Sequence, residues 1–332
     1  MAGEAFAELC EKMMVPGSAR LERIWRMLCD EADARLVLAM PGTIPDLARK
    51  AGVGGEEAER RVQGLFHKGV AFEAKKPEGV IWRSPRHLIQ MHDASVQWPE
   101  APAEFYAAWN DFMAEEYPAL LELMLSSGFP SFMRAIPASG TLGGAQGALP
   151  HEDVFAIIDA AGEIAVARCP CRLAMKKCDA PLQTCIQFNA SARYNIKRGT
   201  GKKIDREEAK RIAADAEAHN LVHMVDNRAG VGNFLCNCCN DCCAIIVPYL
   251  KGGALRPILA PSRYTSRFAP GTCAMCALCE DVCPVRALKL DEEKGAVAVD
   301  AEACIGCGLC VKACPDGAFR LEVVRPPEFI PG

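Results

Sequence analysis

The C-terminal part of the chain carries one cysteine pattern twice. The two stretches read Cys273-Ala-Met-Cys276-Ala-Leu-Cys279-Glu-Asp-Val-Cys283-Pro284 and Cys304-Ile-Gly-Cys307-Gly-Leu-Cys310-Val-Lys-Ala-Cys314-Pro315. Three thiolates separated by two residues each can surround three irons of one [4Fe–4S] cube, while the fourth cysteine, beside a proline, points to the other cube. The expected ligands are Cys273, Cys276, Cys279 and Cys314 for one cluster, and Cys304, Cys307, Cys310 and Cys283 for the other.

This duplicated pattern resembles that of bacterial ferredoxins with two [4Fe–4S] clusters. The resemblance covers residues 269–326 approximately and implies a βαββαβ-type fold that carries electrons at low potential. A zinc ribbon or a disulfide framework is disfavoured, because a tetrahedral zinc site takes two pairs of ligands and not two sets of four that end in Cys-Pro.

Length and composition place this segment in a larger protein. The chain has 332 residues, 50% of them hydrophobic, which predicts two or three domains with ordinary cores. The chain has 19 cysteines but no recognisable export signal and no apolar run long enough to span a membrane. These features predict a cytoplasmic protein whose thiols bind metal. We expect an anaerobic host, since exposed clusters are sensitive to oxygen. The net charge of -4 predicts no general attraction to nucleic acid or anionic lipid.

A second group of cysteines lies in the middle of the chain and predicts further metal binding. Its members are Cys169, Cys171, Cys178, Cys185, Cys236, Cys238, Cys239, Cys242 and Cys243. A helix predicted over 205–219 separates the first four from the last five, so we expect at least one metal centre with ligands from both sides of it. One or two additional iron–sulfur clusters are favoured, and zinc remains an alternative because Cys-x2-Cys spacings occur here too. Adjacent cysteines diverge, which favours two centres, or one centre beside a reactive thiol.

The central region resembles iron–sulfur proteins of anaerobic bacteria and archaea. These carry a Cys-x-Cys-Arg segment and a Cys-Asn-Cys-Cys run before a C-terminal ferredoxin, as in Cys169-Pro-Cys171-Arg172 and Cys236-Asn-Cys238-Cys239. The resemblance implies the same order of segments along the chain and an association with redox proteins, and it does not imply a specific activity. Arg172 either lies beside cluster sulfur or forms a surface ion pair. His219 and His223, spaced i, i+4, are predicted to lie at a solvated helix end and not to bind metal.

The N-terminal residues resemble a winged helix-turn-helix domain. Helices are predicted over 21–28, 44–52 and 56–68, followed by a hairpin with its turn at 75–79. Residues 1–100 contain 14 basic and 15 acidic residues, a net charge of -1. This charge gives little electrostatic attraction to the phosphates of nucleic acid. Nucleic acid is therefore not expected as a partner. The glycine-rich stretch 140–147 matches neither G-x-G-x-x-G nor a P-loop and is predicted to be a loop.

Together these patterns predict a modular α+β protein. The expected segments are a winged-helix-like domain (1–90), a helical linker whose aromatic residues form core (91–150), a cysteine-rich metal-binding domain (151–262) and a ferredoxin domain (263–332). The expected function is low-potential electron transfer between redox partners, such as a flavoprotein or an oxidoreductase subunit. Two alternatives are a redox-sensing winged-helix regulator and an oxidoreductase with a substrate site at the central cluster. No residue pattern assigns a catalytic acid, base or nucleophile.

Overall fold

The computed structural model describes residues 4–77, 79–143 and 147–332, and the chain divides into two compact units. The first unit comprises Met1–Leu120, Pro170–Lys176 and Lys197–Thr200; the second comprises Leu121–Cys169, Lys177–Ile196 and Gly201–Gly332. Glu78 of the predicted hairpin turn and residues 144–146 of the predicted glycine-rich loop lie outside the described residues.

The described residues form a mixed α and β fold, which confirms the predicted class. The α-helices are α1 (Glu4–Lys12), α2 (Ala19–Leu28), α3 (Glu31–Ala39), α4 (Ile44–Ala51), α5 (Gly55–His67), α6 (Leu88–Val96), α7 (Ala103–Glu115), α8 (Tyr117–Ser126), α9 (Val154–Ala160), α10 (Pro170–Met175), α11 (Asn189–Arg198), α12 (Arg206–Ala218), α13 (Ile246–Lys251), α14 (Leu278–Asp281) and α15 (Leu309–Ala313). The strands are β1 (Phe72–Lys76), β2 (Gly79–Arg83), β3 (Met133–Ala135), β4 (Ile164–Ala167), β5 (Cys185–Phe188), β6 (Gly201–Lys203), β7 (Val222–Asp226), β8 (Phe234–Cys238), β9 (Leu259–Ala260), β10 (Tyr264–Phe268), β11 (Leu288–Asp291), β12 (Ala296–Val299) and β13 (Phe319–Val323). Within the described residues, each helix is too short or too polar to cross a membrane.

Local sequence signals set the helices of the first unit. Thr43 and Asp46 form a capping box at the start of α4, and Gly52 ends that helix in a left-handed conformation. Helices α3, α4 and α5 pack against one another, and β1 pairs with β2 in an antiparallel hairpin. The apolar side of α2 is buried, and α2 packs against α7, whose Phe105, Trp109 and Phe112 are buried as the aromatic pattern predicted.

A seven-stranded sheet forms the centre of the second unit. Its strand order is β6-β4-β5-β8-β7-β3-β9, and every pair is antiparallel except β3 with β9. Helices α9 and α12 cover one face, where Ala209 and Ala213 of α12 join a core with Leu235 of β8. Side chains alternate along a strand. Leu235 and Asn237 therefore share the helix-covered face, and Cys236 and Cys238 lie on the opposite face.

The C-terminal part of this unit follows the predicted βαββαβ order. The elements run β10-α14-β11-β12-α15-β13, with β10 paired to β13 and β11 paired to β12, both antiparallel. Left-handed backbone recurs at equivalent places in the two halves: Met275, Ala277 and Arg286 in the first, and Gly306, Gly308 and Gly317 in the second. The cysteine loops of the two halves therefore share one backbone shape. In the second half the left-handed positions are glycines, which adopt this conformation without steric cost, whereas in the first half they are residues with side chains.

Candidate iron–sulfur and metal sites

One cavity of the C-terminal part is lined by cysteines from both runs. They are Cys273, Cys276, Cys279 and Cys314. Short helix α14 carries Cys279, and Cys314 follows α15. Leu290, Val297 and Phe319 add apolar walls, and Asp316 also lies in the lining. Four thiols around an apolar cavity are a donor set suited to a [4Fe–4S] cluster.

A second cavity has the complementary set. Its cysteines are Cys283, Cys304, Cys307 and Cys310. Val285, Leu288 and Ile305 supply apolar walls, and Ser266 of β10 adds one hydroxyl. The chain thus brings Cys283 to the second run and Cys314 to the first, which is the exchange of fourth cysteines that the spacing predicts.

The eight cysteines that line the two cavities lie within a segment that matches a known family. Residues 272–318 match the family of 4Fe-4S dicluster domains. No curated protein and no solved structure matches the chain. The match confirms a ferredoxin-like segment with iron–sulfur clusters, and we call residues 272–318 the dicluster segment.

Backbone amides of the dicluster segment point at cysteine sulfurs in a repeated manner. Ala287 N lies 3.2 Å from Cys283 Sγ, and Ala318 N lies 3.2 Å from Cys314 Sγ. An amide donor at a ligand sulfur stabilises the negative charge that a cluster gains on reduction. Cys283 and Cys314 thus each receive an amide hydrogen bond from the residue four positions after them.

The second cavity has an additional donor from strand β10. Ser266 Oγ lies 3.1 Å from Cys310 Sγ, and Ser266 is buried. Either atom could donate between a thiol and a hydroxyl, whereas the hydroxyl must donate if Cys310 is a thiolate ligand. The neighbouring Thr265 hydroxyl is also buried, yet its oxygen has no hydrogen-bond partner in the part of the chain that the structure describes.

Replacing Ser266 with alanine is expected to lower the midpoint potential of one cluster. Loss of the hydroxyl donor removes stabilisation of the reduced form, a change on the order of tens of millivolts. Potentiometric titration followed by EPR measures it. Thr265→Val is the matched control, because that hydroxyl makes no hydrogen bond to any described residue. A potential that is unchanged or higher in Ser266→Ala would contradict the expected role of the hydroxyl.

In the central region, one group of side chains forms a compact metal-type cluster. Cys178, Cys239, Asp241 and Cys242 place one potential ligand atom each within 4.8 Å of one another. Cys178 Sγ and Cys242 Sγ are 3.9 Å apart. Cys178 precedes α12 in the sequence and the other three follow it, so this group joins both sides of the predicted helix. Asp241 was not among the predicted site residues, although its place between Cys239 and Cys242 was a signal that could have identified it.

The other central cysteines occupy different surroundings. Cys236, Cys238 and Cys243 form a second thiol group, in which hydrogen bonding to Cys236 and Cys243 raises the pKa of buried Cys238. Cys185 Sγ lies 2.9 Å from Nε2 of Gln187. Cys169 is buried at the end of its segment of the second unit, whereas Cys171 belongs to α10 of the first unit. Cys10 and Cys29, far from these groups in sequence, are buried, and burial raises the pKa of each thiol to about 12.

The structure excludes one alternative for Arg172 and corrects the expectation about the histidines. Arg172 is buried, so it does not form a surface ion pair. His219 is the exposed C-cap of α12, but His223 is buried in β7 and does not lie at a helix end. The helix stops at Ala218 and the chain turns into a strand, which breaks the i, i+4 relation.

His223 belongs to a buried hydrogen-bond network centred on Glu217. Its Nε2 lies 2.8 Å from Glu217 Oε1, and its Nδ1 lies 2.6 Å from Asn237 Oδ1. The same carboxylate accepts a hydrogen bond from Ser139 N at 2.6 Å and contacts Lys312 of α15. Burial opposes ionisation, but hydrogen bonds from His223, Lys312 and Ser139 outweigh it and lower the pKa of Glu217 to about 2. An ionised carboxylate thus joins the central sheet to the dicluster segment.

Proposed function

We propose that this protein transfers electrons between redox partners through two [4Fe–4S] clusters in its C-terminal part. The observation that carries the proposal is the sorting of eight cysteines into two cavities, each lined by four thiols drawn from both runs. The proposed ligands are Cys273, Cys276, Cys279 and Cys314 for one cluster, and Cys283, Cys304, Cys307 and Cys310 for the other. When bound, each cluster supplies reversible one-electron chemistry.

The residues around the two cavities support a role in electron transfer. Apolar walls limit water at both cavities, which favours a low potential, while the amide and hydroxyl donors adjust that potential upward. Cys276 is exposed, so the first cluster would lie near the surface, where a redox partner can approach it. A flavoprotein or an oxidoreductase subunit is the proposed class of partner.

The N-terminal part is proposed to be a winged helix that serves in protein contacts and not in DNA binding. Arg61, on helix α5, is neutralised within the unit: its guanidinium contacts Asp30 and Asp33 at 2.9 and 3.0 Å, and Glu57 at 2.9 Å. An arginine so engaged is not available to phosphates. This contact set disfavours the alternative of a redox-sensing transcription regulator.

Electron uptake by cysteine variants tests the proposal. We expect the native chain to accept electrons from dithionite and return them to an oxidant without loss of iron. Cys283→Ala should take up one electron fewer per chain, because its cavity loses one of four ligands. Anaerobic reductive titration and EPR measure the number of electrons and the signals that remain.

Two further variants decide which cluster uses Cys283. If the fourth cysteines are exchanged between the runs, the EPR spectrum of Cys283→Ala matches that of Cys307→Ala. If each run binds its own cluster, the spectrum matches that of Cys276→Ala instead. A native chain that takes up no electrons reversibly would contradict the proposed function itself.

A further inference from the structure

We propose that Cys178, Cys239, Asp241 and Cys242 bind a single tetrahedral metal ion of the zinc class, and not an iron–sulfur cube. The site goes beyond the electron-transfer function and adds a metal of different chemistry to the central region. Its four ligand atoms come from two chain segments that lie 61 residues or more apart in sequence, at 178 and at 239–242.

The distances between the ligand atoms favour one ion. All four lie within 4.8 Å of one another, and the sulfurs of Cys178 and Cys242 are 3.9 Å apart. Two thiolates on one tetrahedral zinc ion, with Zn–S bonds of about 2.3 Å, lie about 3.8 Å apart. A cube instead binds each thiolate to a different iron at a different corner, which requires wider separations.

The dicluster segment provides an internal comparison. The structure describes all 19 cysteines, and among the described residues no other group of three or more potential ligands has all its ligand atoms within 4.8 Å. The two sets of cysteines that line the cavities proposed for cubes are therefore more widely spaced. The same chain thus separates its thiols around the proposed cubes and draws them together at Cys178, Cys239 and Cys242.

Asp241 supplies an independent observation. Its Oδ1 is buried and has no hydrogen-bond partner among the described residues. A buried carboxylate oxygen without a partner costs on the order of 1–3 kcal/mol, and a cation bound to the same carboxylate would offset part of that cost. One oxygen of the carboxylate lies within 4.8 Å of the sulfurs of Cys178, Cys239 and Cys242, so a cation among these sulfurs would also contact Asp241.

Charge and ligand type point to the same class of metal. Three thiolates and one carboxylate would together be strongly negative in this partly buried site, and a divalent cation among them would offset part of that charge. Three sulfurs and one oxygen in a tetrahedral arrangement suit Zn²⁺, whereas magnesium and calcium prefer oxygen ligands in larger number.

The proposed ion would have a structural role. All four coordination positions are filled by side chains, and structural zinc sites are closed in this way, whereas catalytic ones keep a position for water or substrate. The ion would tie the loop that contains Cys178 to the turn after β8. Any further centre in this region would then have to use the remaining central thiols, which are Cys169, Cys171, Cys185, Cys236, Cys238 and Cys243.

Metal analysis of the full chain tests the proposal. The protein is produced with iron and zinc both in excess, purified without oxygen, and examined by elemental analysis and zinc X-ray absorption. We expect one zinc per chain with three sulfurs at about 2.3 Å and one oxygen in its first shell. Absence of zinc, or a shell of four sulfurs, would overturn the site as stated.

Variants separate this site from adventitious zinc and from an iron–sulfur cluster. Cys178→Ser and Asp241→Asn should each lose most of the zinc and keep the native iron content, whereas Cys10→Ser, which removes a buried thiol of the first unit, should keep both metals. Loss of iron with Cys178→Ser would show that the thiol binds a cluster. Unchanged zinc in both site variants would show that zinc is bound elsewhere. If a variant fails to fold, the absorption spectrum of the native protein still decides the question.

Discussion

Alanine in place of Gly306 is expected to abolish binding of the cluster proposed for Cys283, Cys304, Cys307 and Cys310. Gly306 has a φ of +64°, and a Cβ atom there would lie 2.2 Å from the backbone oxygen of Tyr264 and 2.2 Å from Ser262 Oγ. The loop cannot move away at small cost, because Ser262 N donates to Ile305 O at 2.9 Å and Ser262 Oγ donates to Gly306 O at 2.8 Å. A side chain at 306 therefore displaces the loop that carries Cys304 and Cys307.

Iron analysis and EPR of anaerobically purified Gly306→Ala measure this effect as the loss of about one cluster per chain. The matched control is Gly317→Ala. Gly317 also has a φ of +64°, but a Cβ there meets no atom within 4 Å. Gly317→Ala therefore has the conformational free-energy cost of an alanine in left-handed backbone, about 1–2 kcal/mol, but not the steric clash expected in Gly306→Ala. Native iron content in Gly306→Ala, or equal loss in the two variants, would show that the close approach to β10 does not matter.

Glutamine in place of Glu217 is expected to destabilise the second unit by about 3 kcal/mol at neutral pH. A shift of the carboxyl pKa from 4.5 to about 2 corresponds to roughly this free energy at about 1.4 kcal/mol per pH unit. The amide of glutamine is also a weaker acceptor for the donors that now meet the carboxylate, and a buried donor left without a good acceptor costs about 1–3 kcal/mol. Here the side chains of Glu217 and His223 are buried, and Lys312 is partly exposed.

Urea unfolding under anaerobic conditions measures the destabilisation, and Glu208→Gln on the same helix is the control. Glu208 pairs with Lys202, which is 70% exposed, so its loss should cost less than about 1 kcal/mol. Since the pKa of Glu217 is lowered by folding, its contribution is complete above about pH 4.5 and is lost as the pH falls towards 2. The difference between native protein and Glu217→Gln should thus stay constant from pH 7 to pH 5 and shrink below that range. Equal unfolding of the Glu217 and Glu208 variants would contradict the prediction.

Strong local patterns made the C-terminal segment and the N-terminal elements predictable. Cysteine spacing within a dozen residues reflects the size of a cluster, so the duplicated run identified the dicluster segment without any knowledge of tertiary contacts. Helix and hairpin signals over 44–83 depend on caps and turns formed by near neighbours, and α4 and α5 lie where helices were expected. The hairpin is also present, but its strands extend over Lys75, Lys76 and Gly79 of the predicted turn. The winged-helix interpretation, the division into four segments and the ligand assignments stay predictions.

The central site was predictable only in part. Nine cysteines in two groups predicted metal binding from both sides of a helix, and Cys178 does meet Cys239 and Cys242. Spacing alone did not show which thiols would come together. Cys178 precedes β5, whereas Cys239 and Cys242 follow β8, so their distance depends on how β5, β8 and β7 pair in the sheet. Asp241 was missed because an aspartate in a turn is common, and its significance depends on a buried oxygen without a partner.

By itself, then, the sequence determined the elements whose interactions are local: the cysteine loops, the capped helices and the βαββαβ order of the C-terminal part. Only the tertiary structure decided that His223 is buried beside Glu217, that Ser266 reaches Cys310, and that Gly306 lies against β10. These contacts join residues from 6 to 44 positions apart. They depend on how strands pair and helices pack. A periodic pattern of hydrophobic or cysteine residues does not specify which distant residue a side chain contacts, or how close the two lie.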